Sequence, residues 1–323
     1  MTMNIGIIGT GNFAKMHAEI LMKMKEVKVQ AICGTTYWKA EKLAIALGAT
    51  KAYDDVKNML DGEALDAVYI CVPPMAHGTI EMELVERGVP FFIEKPLGTD
   101  LVAPSEIVTA VEKQGLVTSV GYHFRYKQSS KQVKEIIREQ KVGIVSGQWM
   151  GSMPMVDWWR RQEGSGGQFI EQTTHIVDLL RFTVGEVDEV YALYNQQLMH
   201  EKVENVTVAD VGTVTLKLKS GVIATIANTC ILPDHTFRAG LSIYTDQGFI
   251  DWTPDSTYVN IGGTQTTVKD EVNPYIAEND AFIYALRTGD TSRIESDYRD
   301  AWRTQAVTTA ALQSASLVLP VKV

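Results

Sequence analysis

Residues 5–14 read Ile-Gly-Ile-Ile-Gly-Thr-Gly-Asn-Phe-Ala, an apolar run that breaks at Gly9 and restarts as a helical pattern. A short apolar run that meets a glycine and continues as a helix is the strand-turn-helix opening of a βαβ unit. Gly9 permits the tight turn, Gly11 lets a ligand approach the backbone, and Ala14 lets helix and strand pack closely. The helix N-terminus then faces the loop, where free N–H groups favour an anion such as a pyrophosphate. Small residues also close ordinary strand-helix turns, but at the head of a βαβ series Gly9, Thr10, Gly11, Asn12, Phe13 and Ala14 are expected to hold a dinucleotide.

The series is present. Residues 5–8, 27–33, 67–72, 91–93 and 117–120 are apolar without alternation, as parallel strands covered on both faces should be. Between them, residues 14–25, 39–47, 77–87 and 105–114 carry apolar residues at spacings of three and four, and Gly48, Gly88 and Gly115 stand where helices end. Past residue 122 the pattern changes. Strand-like segments at 145–150, 189–196, 208–217, 222–229, 240–245 and 248–252 are joined by turns such as Lys219-Ser220-Gly221 and Asp246-Gln247-Gly248. Helical patterns lie at 129–139, 171–184, 276–287 and 300–317. The expected fold is α/β: an N-terminal Rossmann doubly wound parallel sheet over 1–122, then an α+β domain over 123–323 built on a mostly antiparallel open sheet.

Composition narrows the function. A chain of 323 residues suffices for two cores, and a net charge of −9 argues against a surface that tracks nucleic-acid phosphates. Cys33, Cys71 and Cys230 are too few and too scattered for a disulfide framework or a zinc ribbon. No apolar stretch approaches the roughly 18 residues of a membrane span, and the N-terminus lacks a signal-peptide pattern, so a cytoplasmic protein is expected.

The end of the second strand bears on the cofactor. An acidic residue there would hold the ribose 2′-hydroxyl of NAD. Here Thr35, Thr36 and Lys39 follow Gly34, with no carboxylate until Glu41, so NAD(P) is expected with NADP favoured. The same threonines would also cap the next helix. Another strand ends in Phe91-Phe92-Ile93-Glu94-Lys95-Pro96. The C-terminal end of a parallel strand is where ligands of such sheets bind, so charges there suit a reaction. Oxidising a secondary alcohol requires a group that takes the hydroxyl proton, and a lysine or histidine can do so. Pro96 restricts Lys95 to extended backbone, and the bond between them is a candidate for cis. Glu171 and His175 are four apart in a helical pattern, so the carboxylate is expected to orient the imidazole, and Asp178 either does likewise or caps a solvated face. No second histidine pair or cysteine cluster completes a metal site there, and none is expected. Trp158 and Trp159 either wall a ligand site or anchor a loop.

With the loop at 9–14, Cys71-Val72-Pro73-Pro74-Met75-Ala76-His77, Glu94-Lys95-Pro96 and the stretch from Gly166 to His175, the chain resembles the Gfo/Idh/MocA family of NAD(P)-dependent oxidoreductases along essentially its whole length. The resemblance implies that Val72, Pro73 and Pro74 pass the nicotinamide side of the cofactor, with His77 opening the next helix. It implies Glu94 near the nicotinamide ribose, Lys95 at the substrate oxygen and His175 as general acid/base. Trp159-Arg160 is similar to the family's Trp-Arg element, which adds Arg160 to the cofactor contacts and Trp159 to the substrate contacts. The segment 121–125 resembles the family's crossing into the second domain, which adds His123 and Arg125 to the substrate contacts. Glu171 stands where many members have aspartate, which leaves open whether it touches substrate or only His175. The family implies a sugar, cyclitol or related polyol substrate and a homodimer or homotetramer through the C-terminal sheet. A glycosidase-type member without net redox change, or a non-catalytic sugar or cofactor sensor, are the alternatives.

Overall fold

The computed structural model describes residues 2–49 and 51–323, which form two compact units. The first opens as the sequence requires: β1 (Met3–Ile8), α1 (Asn12–Leu21), β2 (Val27–Cys33), α2 (Tyr37–Leu47), β3 (Lys51–Tyr53), α3 (Val56–Gly62), β4 (Ala67–Ile70), α4 (Thr79–Glu86), β5 (Phe91–Ile93), α5 (Val102–Gln114) and β6 (Thr118–Val120). The six strands pair in parallel in the order β3-β2-β1-β4-β5-β6. That order reverses between β1 and β4, so a crevice opens at their C-terminal ends, the usual ligand position in such sheets. β4 and β5 are buried throughout, which explains their unbroken apolar sequence. β3 escaped the sequence reading because it is a three-residue edge strand, Lys-Ala-Tyr, with no apolar run to mark it.

The second unit contains α6 (Gln128–Ile137), β7 (Val142–Met150), α7 (Asp157–Arg160), α8 (Gln162–Ser165), α9 (Gln168–Glu171), α10 (Thr174–Thr183), β8 (Val187–Asn195), α11 (Met199–Lys202), β9 (Val211–Leu218), β10 (Ile223–Thr229), β11 (Arg238–Thr245), β12 (Gly248–Trp252), β13 (Thr257–Ile261) and β14 (Thr264–Val268). The chain closes with α12 (Pro274–Thr288), α13 (Tyr298–Leu317) and β15 (Val321–Lys322). The nine strands β7 to β15 form one sheet, antiparallel except where β7 pairs with β10. Its inner face carries Val145, Val214, Leu216, Ile226 and Ile243, which join Ile176 and Leu180 of α10 in a continuous core. In the hairpin β13–β14, β14 lacks the apolar alternation that marks the inner strands, since each of its residues is exposed or half-buried.

Two expectations change. The first unit takes back residues 275–302, because Phe282 and Ile283 of α12 are buried with Ile5, Ile7 and Phe92 in the core of the parallel sheet. The chain thus re-enters the first unit at residue 275 and leaves it again at residue 303. The helix expected over 171–184 is also two pieces. Thr173 N–H bonds to the Gln168 carbonyl and His175 N–H to the Gln172 carbonyl, so the regular i to i−4 ladder is interrupted between α9 and α10.

Candidate active site

The glycine loop has the shape that its sequence demands. Gly9 has φ +119°, and a Cβ there would lie 2.1 Å from the Cys71 carbonyl oxygen, so the turns after β1 and β4 touch as backbone. A Cβ on Gly11 would meet nothing within 4 Å, which leaves the space above the loop open to a bound group. Gly11 precedes α1 without a side-chain cap, so the first N–H groups of that helix remain available to an anion. Thr10, Asn12 and Phe13 are accessible beside it, whereas Ala14 is buried against the sheet. This open, donor-rich cradle fits the pyrophosphate of a dinucleotide.

Beside the cradle, Thr36 caps α2 by accepting from the Lys39 N–H at 3.4 Å, and Lys39 Nζ donates to Thr35 Oγ1 at 3.4 Å. All three residues are exposed, so the cap does not use up the hydroxyl and ammonium groups. After β4, Pro73 leads into a single 3-10 turn at Pro74–Ala76, with Val72 half-buried before it. His77 Nδ1 meets Glu81 Oε1 at 2.5 Å, and Glu81 Oε2 accepts the Gly78 N–H at 2.6 Å. Glu81 therefore ties the histidine to the start of α4.

At the end of β5, Glu94 and Lys95 separate as neighbours on extended chain should. Glu94 is buried, with Oε1 2.8 Å from His17 Nε2 of α1, while Lys95 is half-buried and precedes Pro96 through a cis peptide bond. Asn279 of α12 holds the other His17 nitrogen, and Gly121 walls the Glu94 carboxylate. His17, Glu278 and Asn279 went unnoticed in the sequence. The signal was a charged residue, Glu278, at the i position of the apolar series Ala281, Phe282 and Ala285.

In the second unit His175, at the start of α10, is buried inside a box of rings. Trp149 stacks on it with centroids 5.7 Å apart, and His123, Phe124 and Tyr122 lie at 4.8, 5.2 and 6.1 Å. Tyr122 Oη and Thr174 Oγ1, 2.9 Å apart, tie this box to α10. Glu171 ends α9 and accepts from Trp159 Nε1–H at 2.6 Å. Trp159 itself is buried with Met153, Val208 and Cys230, so of the two sequence alternatives it is the anchor. Arg160 donates to the Glu204 carbonyl at 3.4 Å and lies 3.5 Å from Asp157. Arg125 and Asp178 form a buried bidentate pair at 2.7 and 2.6 Å, and Thr304 Oγ1–H donates to Asp178 at 2.8 Å. Asp178 therefore neither faces solvent nor orients His175 as its main task. It neutralises a buried guanidinium, a role invisible to helical spacing.

Comparison with known proteins agrees with this architecture. Residues 3–122 match the model of the Gfo/Idh/MocA oxidoreductases, described as an oxidoreductase family with an NAD-binding Rossmann fold, and residues 130–251 match that family's C-terminal domain. The myo-inositol 2-dehydrogenase of Thermotoga maritima is 28% identical over 232 residues, 70% of this chain and 68% of that protein. The D-xylose 1-dehydrogenase (NADP(+)) 2 of Haloferax volcanii is 23% identical over 314 residues, 91% of this chain and 92% of that one. Levoglucosan dehydrogenase in complex with NADH superposes with a TM-score of 0.90 at 18% identity, covering 100% of this chain and 99% of that one, a likeness of fold.

Proposed function

The chain belongs to the Gfo/Idh/MocA oxidoreductase family, and on that premise we propose that it is an NAD(P)-dependent dehydrogenase or reductase acting on a secondary alcohol or carbonyl of a sugar, cyclitol or related polyol. The observation that carries the reading is the end of β5, where a half-buried lysine follows a clamped, buried carboxylate at the ligand-binding edge of a parallel sheet. Bound nicotinamide supplies the carbon that accepts or returns the hydride. The chain must then hold the substrate and move its hydroxyl proton. Lys95 takes that proton during oxidation and gives it back during reduction, and His175 serves as a second proton carrier in its ring-lined box. Glu171, fixed by the Trp159 indole, presents a carboxylate to the sugar hydroxyls or to His175, and His123 contributes a polar edge of the same box.

Gly9 to Ala14 bind the pyrophosphate, Val72, Pro73, Pro74 and His77 pass the nicotinamide side, and Glu94 serves its ribose. Thr35, Thr36 and Lys39 favour the 2′-phosphate of NADP, since residues 34–40 at the end of the second strand hold no carboxylate to repel it. The name of the xylose relative includes NADP(+), which supports this preference. The subunits associate through the outer face of the large sheet, where Tyr244, Ile144 and Ile223 stand opposite one another on adjacent strands and are all exposed. Free thiols at Cys33, Cys71 and Cys230 suit a reducing compartment such as the cytoplasm. A thermal-shift comparison of NAD and NADP, followed by a polyol and sugar panel with the better nucleotide, tests the proposal. A larger shift with NADP and formation of reduced nicotinamide from a polyol are expected. A chain stabilised by neither nucleotide would refute it.

A further inference from the structure

Behind the end of β5 lies a charge cluster that hydride transfer does not by itself require. Glu278 of α12 is fully buried, and neither of its carboxyl oxygens has a hydrogen-bond partner among the described residues. One of them, one Glu94 oxygen and a His17 ring nitrogen all lie within 4.8 Å of one another. The hydrogen bonds around His17 assign its proton. The Asn279 side-chain atom 2.7 Å from the Tyr275 carbonyl must be the amide nitrogen, because a carbonyl only accepts, and the same nitrogen lies 2.9 Å from His17 Nδ1, nearer than Asn279 Oδ1 at 3.3 Å. Nδ1 therefore accepts, and Nε2–H donates to Glu94 at 2.8 Å.

With Nε2–H given to the Glu94 carboxylate, the Glu278 carboxyl faces that carboxylate with no cationic side chain placed between them among the described residues. The other titratable groups that face this pair come from β4 and its end, Tyr69 and Cys71, and from the start of α12, Tyr275. The Tyr69 ring packs 5.5 Å from His17. Burial, together with the nearby Glu94, pushes the Cys71 thiol and the Tyr275 phenol well above their usual ranges, so both stay neutral. None of these groups offers a positive charge to a second carboxylate. Two carboxyls this close in a buried site do not both ionise.

We propose that Glu278 is a positioning residue that keeps its proton in the folded protein, so that the Glu94 carboxylate stays in the grip of His17 with no second negative charge beside it. The service of Glu94 to the cofactor ribose rests on the function proposed above; the proton on Glu278 does not. Burial and the nearby Glu94 raise the pKa of Glu278 in the folded chain. Its contribution to stability is therefore full below the unfolded value of about 4.3 and is lost as pH rises toward the folded value.

Glu278→Gln keeps the shape and removes the titration. In denaturant unfolding from about pH 5 to about pH 8, the folding equilibrium of the wild-type chain should weaken relative to the variant by up to about tenfold per pH unit. Parallel curves would overturn the proposal. So would a rise in the wild-type, but not the variant, midpoint on adding Mg2+, Mn2+ or Zn2+, since a cation would then replace the proton. Should the variant not fold, a carboxyl-carbon NMR titration of the wild-type chain must show one glutamate still neutral at about pH 8; finding all of them ionised would also overturn it. Nucleotide binding separates the two claims. Glu94→Gln should weaken it about tenfold, and unchanged binding would refute the ribose contact while the stability result still stands for the proton.

Discussion

Gly121 lacks a side chain because the Glu94 carboxylate occupies the space where one would go. A Cβ at that position would lie 2.7 to 3.0 Å from three atoms of the Glu94 carboxylate, which His17 prevents from swinging away freely. Gly121→Ala should therefore displace Glu94. We expect a stability loss of about 1 to 3 kcal/mol and weaker nucleotide binding, measured by denaturant unfolding and by fluorescence titration with NADPH. Residues of this kind show how far a sequence can be read. Lys95 and His175 announce themselves because each sits at a recognisable place in a motif. His17 and Glu278 do not, because their partnership joins positions 261 apart through a fold that local patterning does not reveal (278 − 17). Glu171 is a different case, because its spacing from His175 does not by itself place the two on one helix face. A spacing of four implies a shared helix face only if the helix is continuous, and here it breaks between α9 and α10.

At the scale of elements, the two glycines of the β1–α1 loop divide their tasks. Gly9 serves the fold, as its positive φ and its contact with the Cys71 carbonyl show, whereas Gly11 has ordinary backbone angles and open space around it. Gly9→Ala should destabilise the chain by about 3 kcal/mol or more. Gly11→Ala should cost about 1 kcal/mol, yet remove most nucleotide affinity because the methyl group stands where the pyrophosphate approaches. Thermal unfolding with and without NADP distinguishes the two outcomes. The elements that were legible in the sequence are those whose burial repeats along the chain, such as β1, β2, β4 and α2. Among the strands missed, β3, β14 and β15 lie in the outer parts of their sheets and are short or largely exposed, so no apolar period betrays them.

At the scale of the whole molecule, the parallel-sheet unit is not a continuous stretch of sequence. Phe282 and Ile283 complete its core from far along the chain, and an apolar helix face does not say which sheet it will cover. A fragment of residues 1–122 should consequently lack a cooperative unfolding transition, and joining residues 275–302 to it through a flexible linker should restore one, as followed by circular dichroism. The family pattern nevertheless carried the central functional reading, because the motifs at 9–14, 94–96 and 166–175 stand in the order of the Gfo/Idh/MocA oxidoreductases, whose family models this chain matches. That reading makes Lys95 the proton carrier of a hydride transfer. Single-turnover kinetics of Lys95→Ala, with the best nucleotide and polyol at saturation, test it most directly. The account predicts nucleotide binding within about twofold of the wild type and a rate lower by on the order of a hundredfold or more; a variant that binds nucleotide and turns over at the full wild-type rate would contradict it.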